Sequence, residues 1–171
     1  MNSTGNRTGG MEMAKGKYRR WGTAPNQVCV CVDEIKDGEI SGKVYSRYSR
    51  TPWEFNSLIE LLGQMESFYN KISFPQAAVQ IRGIQWQERG KFQAEAEQPF
   101  LEKEFLLEKR GIQATFLIIV RYRQNATWQG SFLWVEENRS LEFKSTLELL
   151  MMMDKSLKRP AFGRNPLGKS W

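Results

Sequence analysis

The sequence predicts an α+β fold in which two tandem ββ(β)α repeats form a pseudo-two-fold antiparallel sheet, with the helices packed on one face. Three observations carry this prediction. Shifting the chain by 88 positions places Gly42 on Gly130 and Phe55 on Phe143 without a gap, and the shared pattern is E-F-x-S-x-x-E-L-L-x-x-M. Each copy contains a Ser-x-x-Glu capping box before apolar residues at helical spacing. Apolar runs typical of strands precede both copies.

The strand predictions follow from short apolar segments and turn signals. Residues 28–32 are all apolar or Cys, which indicates a strand covered on both faces. The Asp37-Gly38 pair favours a hairpin turn into a second strand over residues 40–48. Thr51-Pro52 is expected to break that strand, which leaves a short third strand at residues 53–55. In the second unit, we expect strands at residues 116–120, 131–135 and 141–143.

Two capping boxes mark where the helices begin. Ser57 with Glu60, and Ser145 with Glu148, have the three-residue spacing at which the Ser oxygen accepts the Glu amide and the Glu carboxylate accepts the Ser amide. The apolar residues that follow recur at i, i+3, i+4 and i+7, as on a one-sided helix. The prolines at 75 and 160 set the latest ends of the two helices.

These elements divide the chain into five segments. We predict a disordered basic tail at residues 1–22, a first repeat at 23–71, a connecting segment at 72–113, a second repeat at 114–158 and another disordered basic tail at 159–171. Within the connecting segment, Val79, Ile81, Ile84 and Trp86 alternate as in a strand, and residues 100–110 are either a short amphipathic helix or a tether.

The second repeat resembles a family of small uncharacterised proteins from clostridia-like Gram-positive bacteria. The residues that carry the resemblance are the run from Arg123 to Gly130 (RQNATWQG) and the pattern F-x-S-x-x-E-L-L-x-x-M-D from Phe143 to Asp154. A similar pattern in the first repeat runs from Gly42 to Gln76. The resemblance implies no activity, but it suggests that the two halves exist elsewhere as separate partners.

The formal charge of +6 lies in the ends of the chain. Residues 1–20 and 158–171 together hold nine Lys/Arg and one Glu, a net of +8, whereas residues 21–157 hold 16 Lys/Arg and 18 Asp/Glu, a net of −2. No apolar run is long enough for a membrane span, and no secretory h-region follows the first basic residues. Cys29 and Cys31 are expected to be buried free thiols. We therefore expect a cytoplasmic protein with no membrane partner.

Residues for catalysis are scarce in this sequence. The chain has no His, no G-x-S-x-G motif and no glycine-rich phosphate loop. The recurring pair Glu60 and Glu148 is explained by helix capping, and Glu54 and Glu142 suit a helix N-terminus electrostatically. The sequence therefore predicts no enzyme, no catalytic residues, no cofactor and no metal site. An enzyme built on carboxylates alone is the third class that the sequence leaves open.

The second helix carries more apolar residues than one buried face requires. Met151 and Met152, together with Leu149, add to a nearly continuous apolar run, and methionine is common at adaptable binding surfaces. Burial between two layers would also explain this run. The hypothesis that we favour is a non-enzymatic interaction module that binds another protein or its own copy through this helix.

Nucleic-acid binding is the alternative function. Arg121 and Arg123 are expected on the same strand face about 7 Å apart, close to the phosphate repeat. Single-strand binders combine such cations with stacking aromatic side chains. The proposed contacts to single-stranded or duplex nucleic acid are Arg121, Arg123, Tyr122, Trp128, Trp134, Arg47 and Arg50.

Overall fold

The computed structural model describes residues 21–78 and 101–158, and these residues form an α+β fold. Six antiparallel strands lie in the order β3-β2-β1-β5-β6-β7, and β4 adds a two-residue parallel pairing to β5. The strands are β1 Val28–Lys36, β2 Glu39–Ser46, β3 Ser49–Phe55, β4 Ala77–Ala78, β5 Ala114–Gln124, β6 Thr127–Trp134 and β7 Arg139–Phe143. The helices are α1 Leu58–Lys71, α2 Lys103–Leu107 and α3 Thr146–Lys158. The expected α+β class is confirmed.

The centre of the sheet is the antiparallel pairing of β1 with β5. Cys29 faces Leu117, and on either side of this pair Val28 faces Ile118 and Val30 faces Phe116. Position 117 follows position 29 by 88 residues, the same shift that superposes the two sequence patterns. Moving Val28 forward and Ile118 back by 88 positions gives Phe116 and Val30, which also face each other. The register of β1 with β5 is therefore unchanged when the two strands are exchanged.

The outer strands repeat their registers at the same shift. Val32 faces Gly42 on β2, and Val120 faces Gly130 on β6. A Cβ atom on Gly42 would lie 2.0 Å from the carbonyl oxygen of Cys31, and one on Gly130 would lie 1.9 Å from that of Ile119. Both strands approach too closely at these points for any side chain. Directly after the residue that faces each glycine, the strand pairing shifts in register, between Val32 and Glu34 on β1 and between Val120 and Tyr122 on β5.

The two hairpin turns have left-handed backbone conformations. Asp37 and Gly38 have φ of 53° and 83°, and Asn125 and Ala126 have φ of 54° and 55°. Two consecutive residues with positive φ are what a type I′ turn requires, because its twist matches that of the flanking strands. The Asp-Gly signal therefore predicted the first hairpin correctly, whereas Ala126 carries no such signal.

The capping boxes begin both long helices. Ser57 Oγ accepts the Glu60 amide at 3.2 Å, and Glu60 Oε2 accepts the Asn56 amide at 2.8 Å. In α3, Ser145 Oγ accepts the Glu148 amide at 3.1 Å, and Glu148 Oε2 accepts the Lys144 amide at 2.7 Å. The carboxylates return to the residue before each Ser, one position earlier than expected.

The main core lies between one face of the sheet and helices α1 and α3. It includes Val30, Phe116 and Phe132 from the strands, with Met65 from α1 and Met153 from α3. Alternate strand residues point to the other face, where a second cluster contains Cys29, Cys31, Leu117, Leu133, Val135, Trp21 and Leu106. Leu106 belongs to α2, so the expectation that the helices pack on one face holds for the two long helices only.

Two boundaries differ from the sequence-based expectation. Trp21, assigned to the disordered tail, is buried on the second face, and the Arg47 guanidinium donates to the Gly22 carbonyl at 3.1 Å. Pro52 does not break the sheet but lies inside β3, which is an edge strand where its missing amide costs no ladder hydrogen bond. The expected strand at residues 79–86 and the tails at 1–20 and 159–171 lie outside the described residues.

Candidate interaction surface

Helix α3 presents an apolar band to solvent. Leu149 and Met153 are buried against the sheet. Because each helical residue turns by about 100°, Met151 points about 180° away from the mean direction of those two side chains. Met151 is 48% exposed, and Leu147, one turn earlier, is 66% exposed. Half-buried Leu150 and Met152 flank them, and we call these four residues the α3 band.

The structure separates the three residues that sequence analysis assigned to a partner interface. Leu149 is 1% exposed and belongs to the core, so its assignment to an interface is wrong. Met152 is half-buried and packs against the core cluster. Met151 alone of the three faces solvent, and Leu147 was missed. The helical period of α3, anchored on buried Leu149 and Met153, would have found Leu147.

The equivalent surface of α1 is different. Ile59 occupies the position of Leu147 and is strongly exposed, but Gly63 and Gln64 stand where α3 has Met151 and Met152. Because Gly63 has no side chain, the apolar band is interrupted one turn into α1. The α3 band is therefore a feature of the second half of the chain.

The basic-aromatic sheet face expected for nucleic-acid binding does not form. Trp128 and Trp134 lie in the main core, 7% and 4% exposed, and so their rings are not accessible for stacking on bases. Aromatic residues on strands commonly pack in the core, and these two side chains are buried under α1 and α3. Their assignment as nucleic-acid contacts is therefore wrong.

A register shift between Val120 and Tyr122 separates the two arginines of β5. Arg121 forms a salt bridge with Glu142 of β7, which also accepts a hydrogen bond from Ser131 on the second face of the sheet. Arg123 points toward α1 on the main core face. The extra residue at the shift reverses the alternation of side chains, so the two guanidinium groups do not share a face as expected.

Arg123 is the centre of a buried polar network. It is 5% exposed and donates to Glu66 Oε1 at 2.8 Å, to Asn70 Oδ1 at 2.6 Å and to the Pro75 carbonyl at 2.7 Å. Glu66 Oε2 also accepts the Trp128 indole N–H at 2.9 Å. The network ties α1 to the β5–β6 hairpin of the other half. Arg123 is therefore a structural residue rather than a ligand contact.

Three of the expected nucleic-acid contacts remain at the surface, and a fourth is partly buried. Tyr122, Arg121 and Arg50 are exposed, although Arg121 is paired with Glu142. Arg47 is half-buried and donates to the Leu101 carbonyl at 2.6 Å, so it anchors the segment that leads into α2. Arg50 lies on edge strand β3, three strands away from β5. The exposed residues do not form one contiguous basic and aromatic surface.

A shallow groove lies beside β5. Its volume is about 450 Å³, and its walls include Phe74, Pro75 and Gln76 on one side and Arg121, Tyr122 and Gln124 on the other. Phe74 and Tyr122 are exposed at its rim. The charged side chains of its wall, Arg121 and Arg123, are both committed to carboxylate partners. The groove brings no acid–base pair together.

The two cysteines are buried free thiols on the second face of the sheet, as expected. Their Sγ atoms are 3.8 Å apart, and the hydrogen bond with Cys31, together with burial, raises the pKa of the Cys29 thiol well above its ordinary value. Both cysteines are buried in one cluster with Trp21 and Leu106, so their sulfur atoms are separated from solvent. The Cys29 thiol therefore stays protonated at neutral pH.

Over the two described ranges, no three His, Cys, Asp or Glu side chains converge in a way that would hold a metal ion. Among the helices of the same ranges, none has the length and apolar content that crossing a bilayer requires.

A scan against protein-family models, a search of curated proteins and a search of solved structures each gave no match. The resemblance of the RQNATWQG run to clostridial proteins therefore stays a prediction.

Proposed function

We propose that the protein is a non-enzymatic interaction module whose two halves arose by duplication and whose binding surface lies on α3, where the halves differ. The duplication is supported by the self-symmetric pairing of Cys29 with Leu117, which stand 88 residues apart at the centre of the sheet. The matched glycine registers and capping boxes of the two halves give further support. The pseudo-two-fold axis passes through the central pair.

Residues that recur at the 88-residue shift serve to build the fold. Glycines at 42 and 130 permit close strand approach, and Ser57 and Ser145 begin helices. Most of the shared residues are committed to packing and capping, which leaves few side chains for a function common to both halves. Binding is therefore expected at positions where one half carries a side chain that the other lacks.

Met151 is the observation on which the binding surface rests. It stands at the centre of the solvent side of α3, next to the exposed Leu147. The first half has glycine at its place. Exposed methionine beside leucine on a helix gives a flexible, polarisable surface of the kind that binds an apolar partner helix or groove. The occupant is a protein surface with apolar side chains, from another protein or from a second copy of this chain.

The buried cysteines support a cytoplasmic location, since free thiols persist in a reducing compartment. Nucleic-acid binding by the sheet is not favoured, because Trp128, Trp134 and Arg123 are committed to the core.

The test places a photo-activated cross-linking side chain at position 151 of the full chain and, as a matched control, at position 63 on α1. We expect discrete protein adducts from position 151 and none of them from position 63. Leu147→Glu, which adds a charge one turn away without touching the core, should suppress the adducts. Equal adducts from both positions, or adducts that survive Leu147→Glu, would show that the α3 band is not the binding surface.

A further inference from the structure

We infer that the occupant of the α3 band is the α3 helix of a second copy of this chain, packed antiparallel about a two-fold axis near Met151. This inference rests on the proposed function and names its partner. Its basis is the arrangement of charges around the apolar band, which is complementary to itself when the helix is reversed.

Two oppositely charged residues lie on the same flank of the band. Glu148 and Lys155 are both exposed and are seven residues apart, which is about two helical turns, so they share nearly the same direction around the helix. Met151 lies midway between them. Neither side chain forms a salt bridge with another described residue, whereas Asp154 and Lys158, which follow Met151 toward the C-terminal end of α3, pair with each other at 2.7 Å. Glu148 Oε2 accepts the Lys144 amide in the helix cap, so Glu148 Oε1 and the Lys155 ammonium are the groups of this flank that can pair with a partner.

An antiparallel two-fold pairing brings these charges together. If the axis passes between positions 151 and 152, each residue n faces residue 303 − n of the other copy. Glu148 then faces Lys155 of the second copy, and Lys155 faces Glu148 of the second copy. The two-fold rotation that reverses the helix keeps this flank on the same side of the interface in both copies. Both ion pairs therefore form on that side. At the centre, Met151 of each copy faces Met152 of the other copy across the axis.

Helix α1 cannot form the same pairing. Glu60 stands at the position of Glu148, but Ser67 replaces Lys155 and Gly63 replaces Met151. In an antiparallel pair of α1 helices, Glu60 would therefore face the neutral hydroxyl of Ser67, and Gly63 would leave no side chain at the centre of the contact. The difference between the two helices gives a built-in control for every substitution.

The test is the mass of the full chain in solution, measured by sedimentation over a concentration series. We expect wild-type protein to reach twice 19.9 kDa as its concentration rises. Lys155→Glu and Glu148→Lys each convert two attractive pairs into two repulsive ones and should weaken dimer formation by about tenfold. Mixing these two variants should restore dimers, because each then presents charges opposite to those of the other. The double swap Glu148→Lys with Lys155→Glu should also restore them.

Glu60→Lys is the matched control, since it removes the equivalent capping carboxylate from α1 and should leave the dimer unchanged. Circular dichroism of each variant establishes that the helices persist.

Wild-type protein that keeps a mass of 19.9 kDa at all concentrations would overturn the self-pairing. Dimers that the swaps weaken but the mixture does not restore would overturn the antiparallel register. If the protein stays monomeric while position 151 still cross-links to a different protein, the proposed function stands and the second copy is not the partner. If position 151 yields no specific adduct, the proposed function itself fails.

Discussion

Glu66 links the two halves of the molecule, so its replacement by alanine tests how strongly they depend on each other. Its carboxylate accepts from Arg123 at 2.8 Å and from the Trp128 indole at 2.9 Å, and both donors belong to the second half. Asp154 takes the same place on α3, but its carboxylate bonds only to exposed Lys158 among the described residues. The two substitutions remove equivalent carboxylates from different surroundings.

The expected loss for Glu66→Ala is about 2 kcal/mol of unfolding free energy. Hydrogen bonds that involve a charged group are worth about 1.5–3 kcal/mol each. The Glu66 side chain is 43% exposed, which screens its charge, and Arg123 keeps the Asn70 and Pro75 oxygens as acceptors, so the two contributions do not add in full. For Asp154→Ala, the loss of an exposed i,i+4 pair is about 0.3–0.5 kcal/mol.

Urea unfolding at neutral pH measures both values, with unchanged slopes establishing that the two-state transition is the same. The midpoint temperature should fall by about 4–8 °C for Glu66→Ala and by about 1–2 °C for Asp154→Ala. Equal losses for the two variants would refute the reasoning, because they would mean that the contacts of Glu66 with Arg123 and Trp128 contribute nothing beyond those of a surface carboxylate.

Three further predictions concern backbone contacts, capping and thiol chemistry. Gly130→Ala should prevent folding or cost more than about 3 kcal/mol, because its Cβ would meet a backbone oxygen, whereas Gly63→Ala on open helix surface should stabilise by up to about 1 kcal/mol, both measured by urea unfolding. Ser145→Ala should cost about 1 kcal/mol in the same assay, and no loss would contradict its role as a cap. Cys29 and Cys31 should resist a thiol-reactive dye in the native protein at pH 8 and react in full after unfolding. Because the pKa of Cys29 is raised in the folded state, its contribution to stability is complete below about pH 8.5 and falls as the pH rises further.

Local signals in the sequence predicted the long helices and the first hairpin. The Ser-x-x-Glu spacing fixed the starts of both helices because capping depends on neighbours within one turn. Asp37-Gly38 predicted its turn because those residue types tolerate positive φ. Pro52 misled the assignment of β3, since its effect depends on whether the strand lies at an edge, which no local pattern shows.

The candidate surface was only partly predictable, because burial depends on packing between distant segments. The apolar run of α3 was visible in the sequence, but the direction of the sheet decides that Leu149 is buried and that Met151 is exposed. The register shift before Tyr122 turns Arg123 into the core, and a one-residue shift has no signature in the run of apolar and basic residues around it. Sequence reasoning therefore found the helix that carries the exposed apolar band, but it assigned the buried residues Trp128, Trp134 and Arg123 to an accessible sheet face.

The most direct test of the account is a dilution series in which methyl signals of the full chain are followed by NMR. If α3 binds a second copy and α1 does not, the Met151 methyl signal should shift with concentration while the Ile59 methyl signals stay constant, since both side chains are exposed in the single copy. Signals of Ile59 that move as much as those of Met151, or a Met151 signal that stays constant over the whole series, would contradict the account.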